Sequence, residues 1–535
     1  MNSAGRFLLL APDLWYNPPM PSPTYDVIVV GAGHNGLVCA CYLQRFGYRV
    51  LVVERRPIVG GAVCTEEIWP GYKIDIGSSV HIMIHQTPIV KDLELARYGL
   101  SYIEMDPWAA FPMRDGRAIC FHRDVDRTCA SIAQVSRRDA AAYKDFITRW
   151  APVARGVFRA FQEPPTMANF GRHVIMAKSP GRNTSDTLRM ILSGYGRLLH
   201  ETFESTEMRA ALGWLAAQSG PPPTEIGSGP FAGWHAALHE TGAWRARGGS
   251  GALTAAMRRA FEAQAGEVLT DAPVEQILVE NGRAVGVEAG GQTYRAKAVV
   301  SACHLMTTMR TLLAPEHIPE DLKRRLDALN VGNGFGMTVR CAASELPDYG
   351  AGQPHDVHQG MQLLCPTPEY LMDAYADYVG GRPSKKPPVL AMTFSALDPT
   401  LAPAGKHIVQ LWSQYFPYDR RDGRSWDDAR EEVADSICET LYDHAPNMRG
   451  AIEKRFIQTP LDLERTLGLL RGNVMHLEMS LDQMFAFRPL PELSEYQSHI
   501  PGLFLTGAST HPGGGVFGAS GASAARVVRK ALGRR

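Results

Sequence analysis

Three histidines lie in or next to glycine-rich segments, where an imidazole could take part in proton transfer. His81 follows Gly77, His511 lies inside the glycine-rich segment 507–515, and His476 lies in the segment 472–489. An imidazole accepts a proton near neutral pH and is the side chain that most often serves as a general base. Each of the three is therefore a catalytic candidate. A structural role, in which the ring only makes hydrogen bonds within the fold, is the alternative for each.

The glycines that follow the first predicted strand could hold a phosphate. Val27–Val30 is a short β-branched run, typical of a buried parallel strand, and Gly31, Gly33 and Gly36 follow it. The first glycine permits a tight turn, the second lets the backbone approach a pyrophosphate, and the third lets the next helix pack on the strand. The start of that helix offers free N–H groups and a positive dipole end to the phosphates. The pattern predicts a dinucleotide site.

The next predicted strand ends at an acidic residue. Arg49–Val53 is a second β-branched run, and Glu54 comes 18 residues after Gly36. An acid at this place can accept hydrogen bonds from both ribose hydroxyls of an adenosine. A glycine pair and then a Gly-x3-Asp-x-Gly pattern come next, which are Gly60, Gly61, Gly71, Asp75 and Gly77.

The C-terminal region repeats the arrangement of strand, glycines and helix. Leu503–Thr506 predicts a short strand, Gly507–Gly515 a loop, and Gly518–Leu532 a helix that begins with small residues. Such residues permit close approach, and the loop presents backbone N–H groups to a ligand. Because residues 439–535 contain no cysteine, a thioether bond from this region to a ligand is excluded.

Taken in order, these segments resemble the glutathione-reductase-like flavoproteins of the amine oxidase and phytoene desaturase branch. The segments GNVMHLEMSLDQMFAFRP (472–489) and LFLTGASTHPGGGVFGASG (503–521) resemble the closing segments of phytoene-desaturase-related proteins, and 247–252 resembles another of their loops. The subgroup with the greatest resemblance holds the desaturase-like carotene ketolases and the pyridine nucleotide-disulfide oxidoreductase domain-containing protein 2 group. The resemblance implies FAD, bound non-covalently. The expected FAD contacts are Gly31, Gly33, His34, Asn35, Gly36, Glu54, Arg55, Gly60, Gly61, Ala62, Gly77, Val274, Gly507, Ala508, Gly514, Gly515 and Val516.

The expected fold is α/β, with a Rossmann-like FAD-binding domain of glutathione-reductase type and an inserted α+β substrate domain. Residues 1–19 are read as a disordered leader, with Met20 as an alternative start. The FAD-binding domain is assembled from 20–98, 245–310 and 488–535, and the substrate domain from 99–244 and 311–487. Arg488 either orients His476 or Asp482 or holds the two domains together, and the structural interpretation is favoured. The first insertion is expected to be helical, with helices at 139–162 and 186–203, and the second to contain strands at 335–342, 389–394 and 407–412.

Composition excludes several classes of function. Lys plus Arg equals Asp plus Glu at 55 each, so the chain has no excess positive charge to attract nucleic acid. The nine cysteines form no CxxC pair, which argues against a metal site and against disulfide reduction. A second strand–glycine–helix unit for NAD(P)H is not found, so dioxygen or a quinone is the expected electron acceptor. No apolar run is long enough to span a bilayer. The expected location is the cytoplasm, with contact to a membrane surface as an alternative.

The resemblance implies oxidation of a hydrophobic substrate, such as a carotenoid or another isoprenoid. Removing a hydride to flavin N5 and a proton from the adjacent carbon would introduce a double bond, and the proton requires an acceptor. Desaturation, ketolation and isomerisation remain open. An amine oxidase is one alternative, although those enzymes usually carry Gly-Glu where this chain has Gly507–Ala508–Ser509. A non-enzymatic isoprenoid-binding escort protein is another, although such proteins have degraded nucleotide glycines.

Overall fold

The structure is a computed structural model that describes residues 24–175, 183–332, 334–350, 352–354 and 356–533. The predicted leader 1–19 lies outside the described residues. The strands are β1 (Thr24–Val30), β2 (Val50–Val53), β3 (Thr65–Trp69), β4 (Tyr72–Asp75), β5 (Tyr102–Met105), β6 (Ala109–Pro112), β7 (Ala118–Phe121), β8 (Ala243–Ala246), β9 (Glu267–Leu269), β10 (Val274–Glu280), β11 (Arg283–Ala289), β12 (Gln292–Ser301), β13 (Gly336–Ala343), β14 (Met361–Leu364), β15 (Val389–Met392), β16 (His407–Gln414), β17 (Ile452–Gln458) and β18 (Leu503–Leu505).

Helices cover the faces of the sheets and connect them. Those of eight or more residues are α1 (His34–Arg45), α2 (Val125–Ile132), α3 (Arg137–Ala160), α4 (Thr184–Leu192), α5 (Tyr195–Thr202), α6 (Thr206–Ala217), α7 (Gly251–Glu262), α8 (Glu320–Asp327), α9 (Pro368–Val379), α10 (Trp426–His444), α11 (Pro460–Leu467) and α12 (Ala519–Leu532). Among the described residues, no helix is both long enough and apolar enough to cross a membrane.

The first sheet brings together distant parts of the chain. β1 lies between β2 and β12, all three run parallel, and β9 pairs with β2. The C-terminal half of β12 pairs with β18, and its N-terminal half pairs with the antiparallel β11, which in turn pairs with β10. Residues 27–29 are buried on both faces of β1, as expected for a central parallel strand. The predicted α/β, Rossmann-like fold is confirmed. The residue boundaries of the two domains stay a prediction.

The second sheet has the order β17-β13-β16-β15-β14-β6-β7. Its strands β13, β15 and β16 agree with the predicted strands of the second insertion. β6 and β7 come from the first insertion, which was expected to be helical, so that expectation was wrong for 102–121. Each of these strands has only four residues, and β6 pairs with β14 more than two hundred residues later in the chain. A short apolar run carries no periodicity that separates a strand from a helix.

The predicted helix at 186–203 is two helices in the structure. Ser193 adopts an extended conformation and ends α4, and Gly194 precedes α5. A β-carbon at Gly194 would lie 2.8 Å from the carbonyl oxygen of Pro223, so the loop 220–226 packs directly against the break. The chain therefore turns here, because glycine alone lets the two backbones approach so closely.

Candidate functional site

A cleft of about 360 Å³ opens at the carboxyl ends of β1, β2 and β12. In open parallel sheets, ligands bind outside the carboxyl ends of the strands. Fifteen of the seventeen predicted FAD contacts line this cleft: Gly31, Gly33, His34, Asn35, Gly36, Glu54, Arg55, Gly61, Ala62, Gly77, Val274, Gly507, Ala508, Gly515 and Val516. The structure therefore brings together residues from both ends of the chain and from the middle.

The three N-terminal glycines have distinct surroundings. Gly31 has a φ of +97°, which favours glycine. A β-carbon at Gly36 would lie 2.2 Å from the Gly31 carbonyl oxygen and 3.0 Å from Ala302 Cβ, so α1 packs directly on the turn. A β-carbon at Gly33 would meet no atom within 4 Å. The open side of Gly33 faces the cleft, and Gly33 precedes α1 without a side-chain cap, so the first N–H groups of the helix are free for an anion.

Glu54 lies at the end of β2 and is held in place by the backbone. One carboxylate oxygen accepts the Ala32 N–H at 2.8 Å, and the other accepts the Arg56 N–H at 3.0 Å. Each carboxylate oxygen has a further lone pair that can accept a hydroxyl proton. The fixed orientation suits recognition of a sugar. Arg55, next in the chain, is exposed and donates to the Thr466 carbonyl oxygen at 3.3 Å.

Two of the predicted contact residues do not line the cleft. At Gly60, a β-carbon would lie 2.3 Å from the Val63 carbonyl oxygen, so this glycine shapes the turn and leaves the cleft wall to Gly61. At Gly514, a β-carbon would lie 2.3 Å from the sulfur of Met475, so this residue packs against the neighbouring segment. That Gly60 and Gly514 contact the ligand through their backbone stays a prediction.

The C-terminal helix crosses α1 in close contact. A β-carbon at Gly521 of α12 would lie 2.2 Å from the carbonyl oxygen of Asn35 on α1, which explains the small residues at the start of α12. His34 is hydrogen-bonded to the backbone of Gly515, and burial lowers the pKa of this imidazole to about 4. The two glycine loops therefore meet at the start of α1. The side-chain oxygen of Asn35 lies buried in the cleft wall without a hydrogen-bond partner among the described residues.

Of the three candidate histidines, the structure places His476 at the cleft. Its Nδ1 lies 2.9 Å from the Ser509 hydroxyl, and its ring stacks on His304 with centroids 4.8 Å apart. His304 lies 2.9 Å from the His476 carbonyl oxygen through Nε2. Burial lowers the pKa of both rings, to about 4 for His304, so both are neutral at pH 7.

His81 does not line the cleft. Its Nδ1 lies 3.0 Å from the Tyr102 hydroxyl and its Nε2 lies 2.7 Å from the Ser250 hydroxyl. Both ring nitrogens are therefore engaged within the fold, and burial lowers the pKa to about 3. Because neither ring nitrogen is left free for a substrate proton, the geometry favours the structural alternative for His81, and the catalytic role stays a prediction.

His511 lies outside the cleft wall, in a cluster of aromatic rings. Its Nε2 donates to the Ala160 carbonyl oxygen at 3.1 Å, which fixes the tautomer, while Nδ1 is buried without a partner among the described residues. Burial lowers the pKa of the ring to about 4. We call the rings around it the aromatic cluster; these are Phe158, Phe161, Phe170, Phe485 and Phe517, joined by centroid distances of 4.6–6.3 Å.

Arg488 is fully buried beneath the C-terminal glycine loop. Its guanidinium donates to the carbonyl oxygens of five residues, which are Met475, Leu477, Glu478, Gln483 and Ala508, at 2.6–3.3 Å. Burial lowers its pKa to about 9, so it stays charged at pH 7. Arg488 thereby joins the segment 475–483 to Ala508 in the cleft wall.

Several cleft residues carry no motif in the sequence. The stretch 302–304 directly follows β12, and because β12 is parallel to β1, its end reaches the same sheet edge. This rule could have identified the stretch from the predicted strand alone. Val474 and Met475 belong to the segment 472–489, whereas nothing local in the sequence indicates a further set, which includes Arg56, Pro273, Thr307, Leu312, Leu467, Gly468 and Leu469.

Comparison with known proteins gives three kinds of relative. Residues 36–529 match the family described as flavin containing amine oxidoreductase. The rat pyridine nucleotide-disulfide oxidoreductase domain-containing protein 2 is 33% identical over 95% of this chain and 94% of its own length. A limonene dehydrogenase polypeptide of Castellaniella defragrans is 28% identical, with 95% of each chain covered. Lycopene-forming phytoene desaturase of Pseudescherichia vulneris is 25% identical over 92% of this chain and 96% of its own length.

A solved structure has the same fold. The oxidoreductase from Methanosarcina mazei superposes with a TM-score of 0.61 at 18% identity, covering 94% of this chain and all of that one. The predicted relationship to the phytoene desaturase and pyridine nucleotide-disulfide oxidoreductase domain-containing protein 2 group is confirmed by the relatives.

Proposed function

Because the chain belongs to the flavin containing amine oxidoreductase family, we propose that it is an FAD-dependent oxidoreductase that oxidises the carbon skeleton of a hydrophobic substrate. Membership of the family indicates a flavin enzyme. The further proposal concerns where FAD binds, how it is held, and what kind of molecule is oxidised.

The cleft residues suit FAD, one part of the cofactor at a time. We assign the pyrophosphate to the open face of Gly33 and the start of α1, where free N–H groups are available. Glu54 would accept the ribose hydroxyls, the backbone of Val274 would contact the adenine, and the loop 507–516 would hold the flavin ring. When bound, FAD supplies a hydride acceptor at flavin N5.

The protonation state of Cys303, the only cysteine among the residues that line the cleft, favours non-covalent attachment of FAD. Cys303 donates weakly to the Val30 carbonyl oxygen at 3.7 Å, and burial raises the pKa of the thiol to about 11. The reactive form of cysteine is the thiolate, which this pKa suppresses at pH 7. The thiol is therefore protonated at pH 7, which supports non-covalent binding of FAD.

The aromatic cluster carries the substrate assignment. The cluster lies beside the C-terminal glycine loop, because Phe517 comes directly after that loop in the chain. The ring of Phe517 contacts the rings of Phe158 and Phe161. Aromatic side chains bind apolar carbon well and exclude water. His511 reaches into the cluster with a free, neutral Nδ1 and a tautomer fixed by Ala160. We propose that this nitrogen takes the substrate proton.

The names of two relatives agree with an apolar substrate. Limonene and phytoene, for which those proteins are named, are both hydrocarbons. The proposed substrate of this chain is accordingly an isoprenoid, and the proposed electron acceptor is dioxygen or a quinone. Among the described residues, β1 with its glycines and α1 forms the unit with the dinucleotide pattern, and we assign that unit to FAD.

The test is anaerobic reduction of the bound flavin by candidate substrates. The purified holoenzyme is mixed without oxygen with terpenoid hydrocarbons, lipids or amines, and loss of the visible flavin absorbance is recorded. We expect bleaching by a hydrocarbon and not by amines. Bleaching by an amine alone would overturn the substrate class, and a preparation without flavin that also fails to bind added FAD would overturn the enzyme assignment.

Two variants separate the proposed role of His511 from effects on folding. His511→Gln keeps a hydrogen-bond donor toward Ala160 but removes the basic nitrogen, so we expect flavin reduction to slow by about 100-fold or more, the usual contribution of a general base. His499→Gln, at an exposed histidine that contacts the His317 carbonyl oxygen, is the control and should reduce at the wild-type rate. Equal rates in both variants would contradict the role of His511.

A further inference from the structure

His476 lies in the wall of the cleft and has no role in the proposed function. Its ring is stacked on the ring of His304, with the two planes 26° apart. Its backbone has a φ of +66°, a left-handed conformation that is uncommon for residues other than glycine. Such a conformation costs free energy and persists only where the surrounding structure imposes it. The chain therefore holds this imidazole in one orientation at the cleft.

The neighbouring ring of His304 is fixed by two hydrogen bonds. Its Nδ1 accepts the Met306 N–H at 3.1 Å. Burial lowers the pKa of His304 to about 4, so the ring is neutral at pH 7 and carries one proton. That proton lies on Nε2, which donates to the His476 carbonyl oxygen at 2.9 Å. His304 therefore has no nitrogen left for a ligand and serves as a support for His476.

Ser509 determines which nitrogen of His476 carries a proton. The Ser509 hydroxyl is buried and accepts the Leu305 N–H at 3.0 Å. The hydroxyl also has one O–H to donate, and His476 Nδ1, at 2.9 Å, is the acceptor within reach among the described residues. A buried O–H without an acceptor would be unfavourable, so Ser509 donates to this nitrogen. His476 Nδ1 is thus an acceptor.

His476 consequently offers an N–H group to a ligand in the cleft. Burial lowers the pKa of its ring well below the usual range, so the ring carries a single proton at pH 7. Since Nδ1 accepts from Ser509, that proton is on Nε2. Within the part of the chain that the structure describes, Nε2 makes no hydrogen bond. A nitrogen that already carries a proton cannot act as a general base, which distinguishes His476 from His511.

This N–H group borders the part of the cleft next to the first glycine turn. Ala302, two residues before His304, packs against that turn, because a β-carbon at Gly36 would lie 3.0 Å from Ala302 Cβ. Besides burial, repulsion from the charged form of His34 lowers the pKa of His476, so the two imidazoles are close to each other. His34 is the first residue of α1, whose first N–H groups are free. The donors of α1 and of His476 therefore border the same part of the cleft.

Donors from two elements favour an anionic group in this part of the cleft. Phosphate oxygens accept hydrogen bonds, and a bond from an N–H group to a charged oxygen is about twice as strong as a bond between neutral groups. The pyrophosphate is the charged group of oxidised FAD at pH 7. The ribityl chain and the flavin ring are uncharged and would gain less from this donor.

Building on the proposed function, we propose that His476 binds the pyrophosphate of FAD through its Nε2–H group, together with the start of α1. His476 is then a cofactor-binding residue and not the base of the reaction. The segment 472–489 contributes in this way to the phosphate site, although it lies more than four hundred residues after the first glycine turn.

The test is titration of the apoproteins with FAD and with ADP-ribose, which contains the adenosine and the pyrophosphate but no flavin. His476→Gln keeps an N–H donor at about the position of Nε2, whereas the shorter side chain of His476→Asn reaches only about as far as Nδ1. We expect His476→Asn to bind both ligands about tenfold or more weakly, since it loses a bond to a charged group, and His476→Gln to bind both within about threefold of the wild type. Asparagine tolerates the left-handed conformation well, so backbone strain does not account for this loss.

The control is His499→Asn, at an exposed histidine that contacts the His317 carbonyl oxygen, and it should bind both ligands as the wild type does. Urea denaturation of each apoprotein shows that it is folded. Failure of the wild-type apoprotein to bind FAD would overturn the proposed function itself, whereas the results that overturn only the role of His476 all require a wild type that binds FAD.

Three such results are distinguishable. Wild-type affinity for FAD in His476→Asn would show that the N–H group does not contact the cofactor. Weaker FAD binding with unchanged ADP-ribose binding would place His476 at the flavin instead of the pyrophosphate. Equal losses in His476→Asn and in a stable His476→Gln would show that the site needs the ring and not its N–H group.

Discussion

Replacing Arg488 with methionine should destabilise the protein and weaken FAD binding together. The change keeps an unbranched apolar stem but removes every donor of the guanidinium. In the structure this group donates to five carbonyl oxygens, and it joins the segment 475–483 to Ala508. Both Met475 and Ala508 line the cleft. Loss of the guanidinium donors therefore affects both the stability of the fold and the cofactor site, because the same hydrogen bonds support both.

The expected loss in the free energy of unfolding follows from the carbonyl oxygens that Arg488→Met leaves without a hydrogen-bond donor. The Met475 carbonyl oxygen still accepts the Leu477 N–H, and the Glu478 carbonyl oxygen still accepts the Gln483 side chain. The other three, at Leu477, Gln483 and Ala508, lose the donor that the structure gives them. Each buried unsatisfied carbonyl costs about 1–3 kcal/mol. Removing the buried charge recovers part of this, so we expect a net loss of about 3–5 kcal/mol.

Urea denaturation of the wild type and the variant measures this difference. FAD titration of the apoprotein should show affinity weaker by about tenfold or more, if only about 1.4 kcal/mol of the loss falls on the bound state. Arg488→Lys, with three donors on one nitrogen, should lie between the two. Arg138→Met, at an exposed ion pair with Glu204, should change stability by about 1 kcal/mol or less. Wild-type stability and FAD affinity in Arg488→Met would refute the reasoning.

Two further predictions concern folding. Gly36→Ala should lower the free energy of unfolding by about 2 kcal/mol or more in urea denaturation, because the new methyl group would lie 2.2 Å from the Gly31 carbonyl oxygen; unchanged stability would show that α1 does not pack on the turn. Burial raises the pKa of Glu478 to about 7, and the nearby charges of Arg488 and Glu225 lower and raise it respectively. Since the folded state binds this proton more tightly than the unfolded state, the wild type should lose about 3 kcal/mol relative to Glu478→Gln as the pH rises from about 4.5 to 7; parallel stability curves for the two proteins would contradict the assignment.

The residues of the cleft whose roles depend on their neighbours in the sequence could be predicted. Gly31 and Gly33 lie between β1 and α1, and Gly36 lies in the first turn of α1. This order indicates that Gly31 forms the turn, that Gly33 faces the ligand and that Gly36 packs against the turn. Glu54 is equally local, because it ends the next strand. The C-terminal loop was predictable for the same reason. In each case the signal lies within about twenty residues of sequence.

The sequence is less informative where distant segments decide the surroundings of a residue. Gly60 and Gly514 have the same residue type as the cleft glycines, but Val63 and Met475 occupy the space beside them. His81 lies near Gly77 in sequence, yet Tyr102 and Ser250 engage both of its nitrogens. These partners come from other elements.

The missed strands β6 and β7 have the same cause. Each is four residues long. β6 joins the second sheet by pairing with β14, which lies far along the chain, and β7 pairs with β6. The stacked pair of His304 and His476 likewise joins residues more than 170 positions apart. No periodicity or local motif in the sequence indicates such contacts. They can be inferred only when the sheet topology shows which strand ends lie at the same edge.

The measurement that tests the central claim most directly is FAD titration of the apoproteins of the wild type and Gly33→Val. A side chain at Gly33 meets no protein atom within 4 Å of its first carbon, so this variant should unfold at nearly the wild-type urea concentration. If the cleft holds the pyrophosphate against Gly33, the wild type binds one FAD per chain and Gly33→Val binds it at least about 100-fold more weakly, a loss of about 2.7 kcal/mol or more. Equal affinity in a normally folded variant would contradict the site.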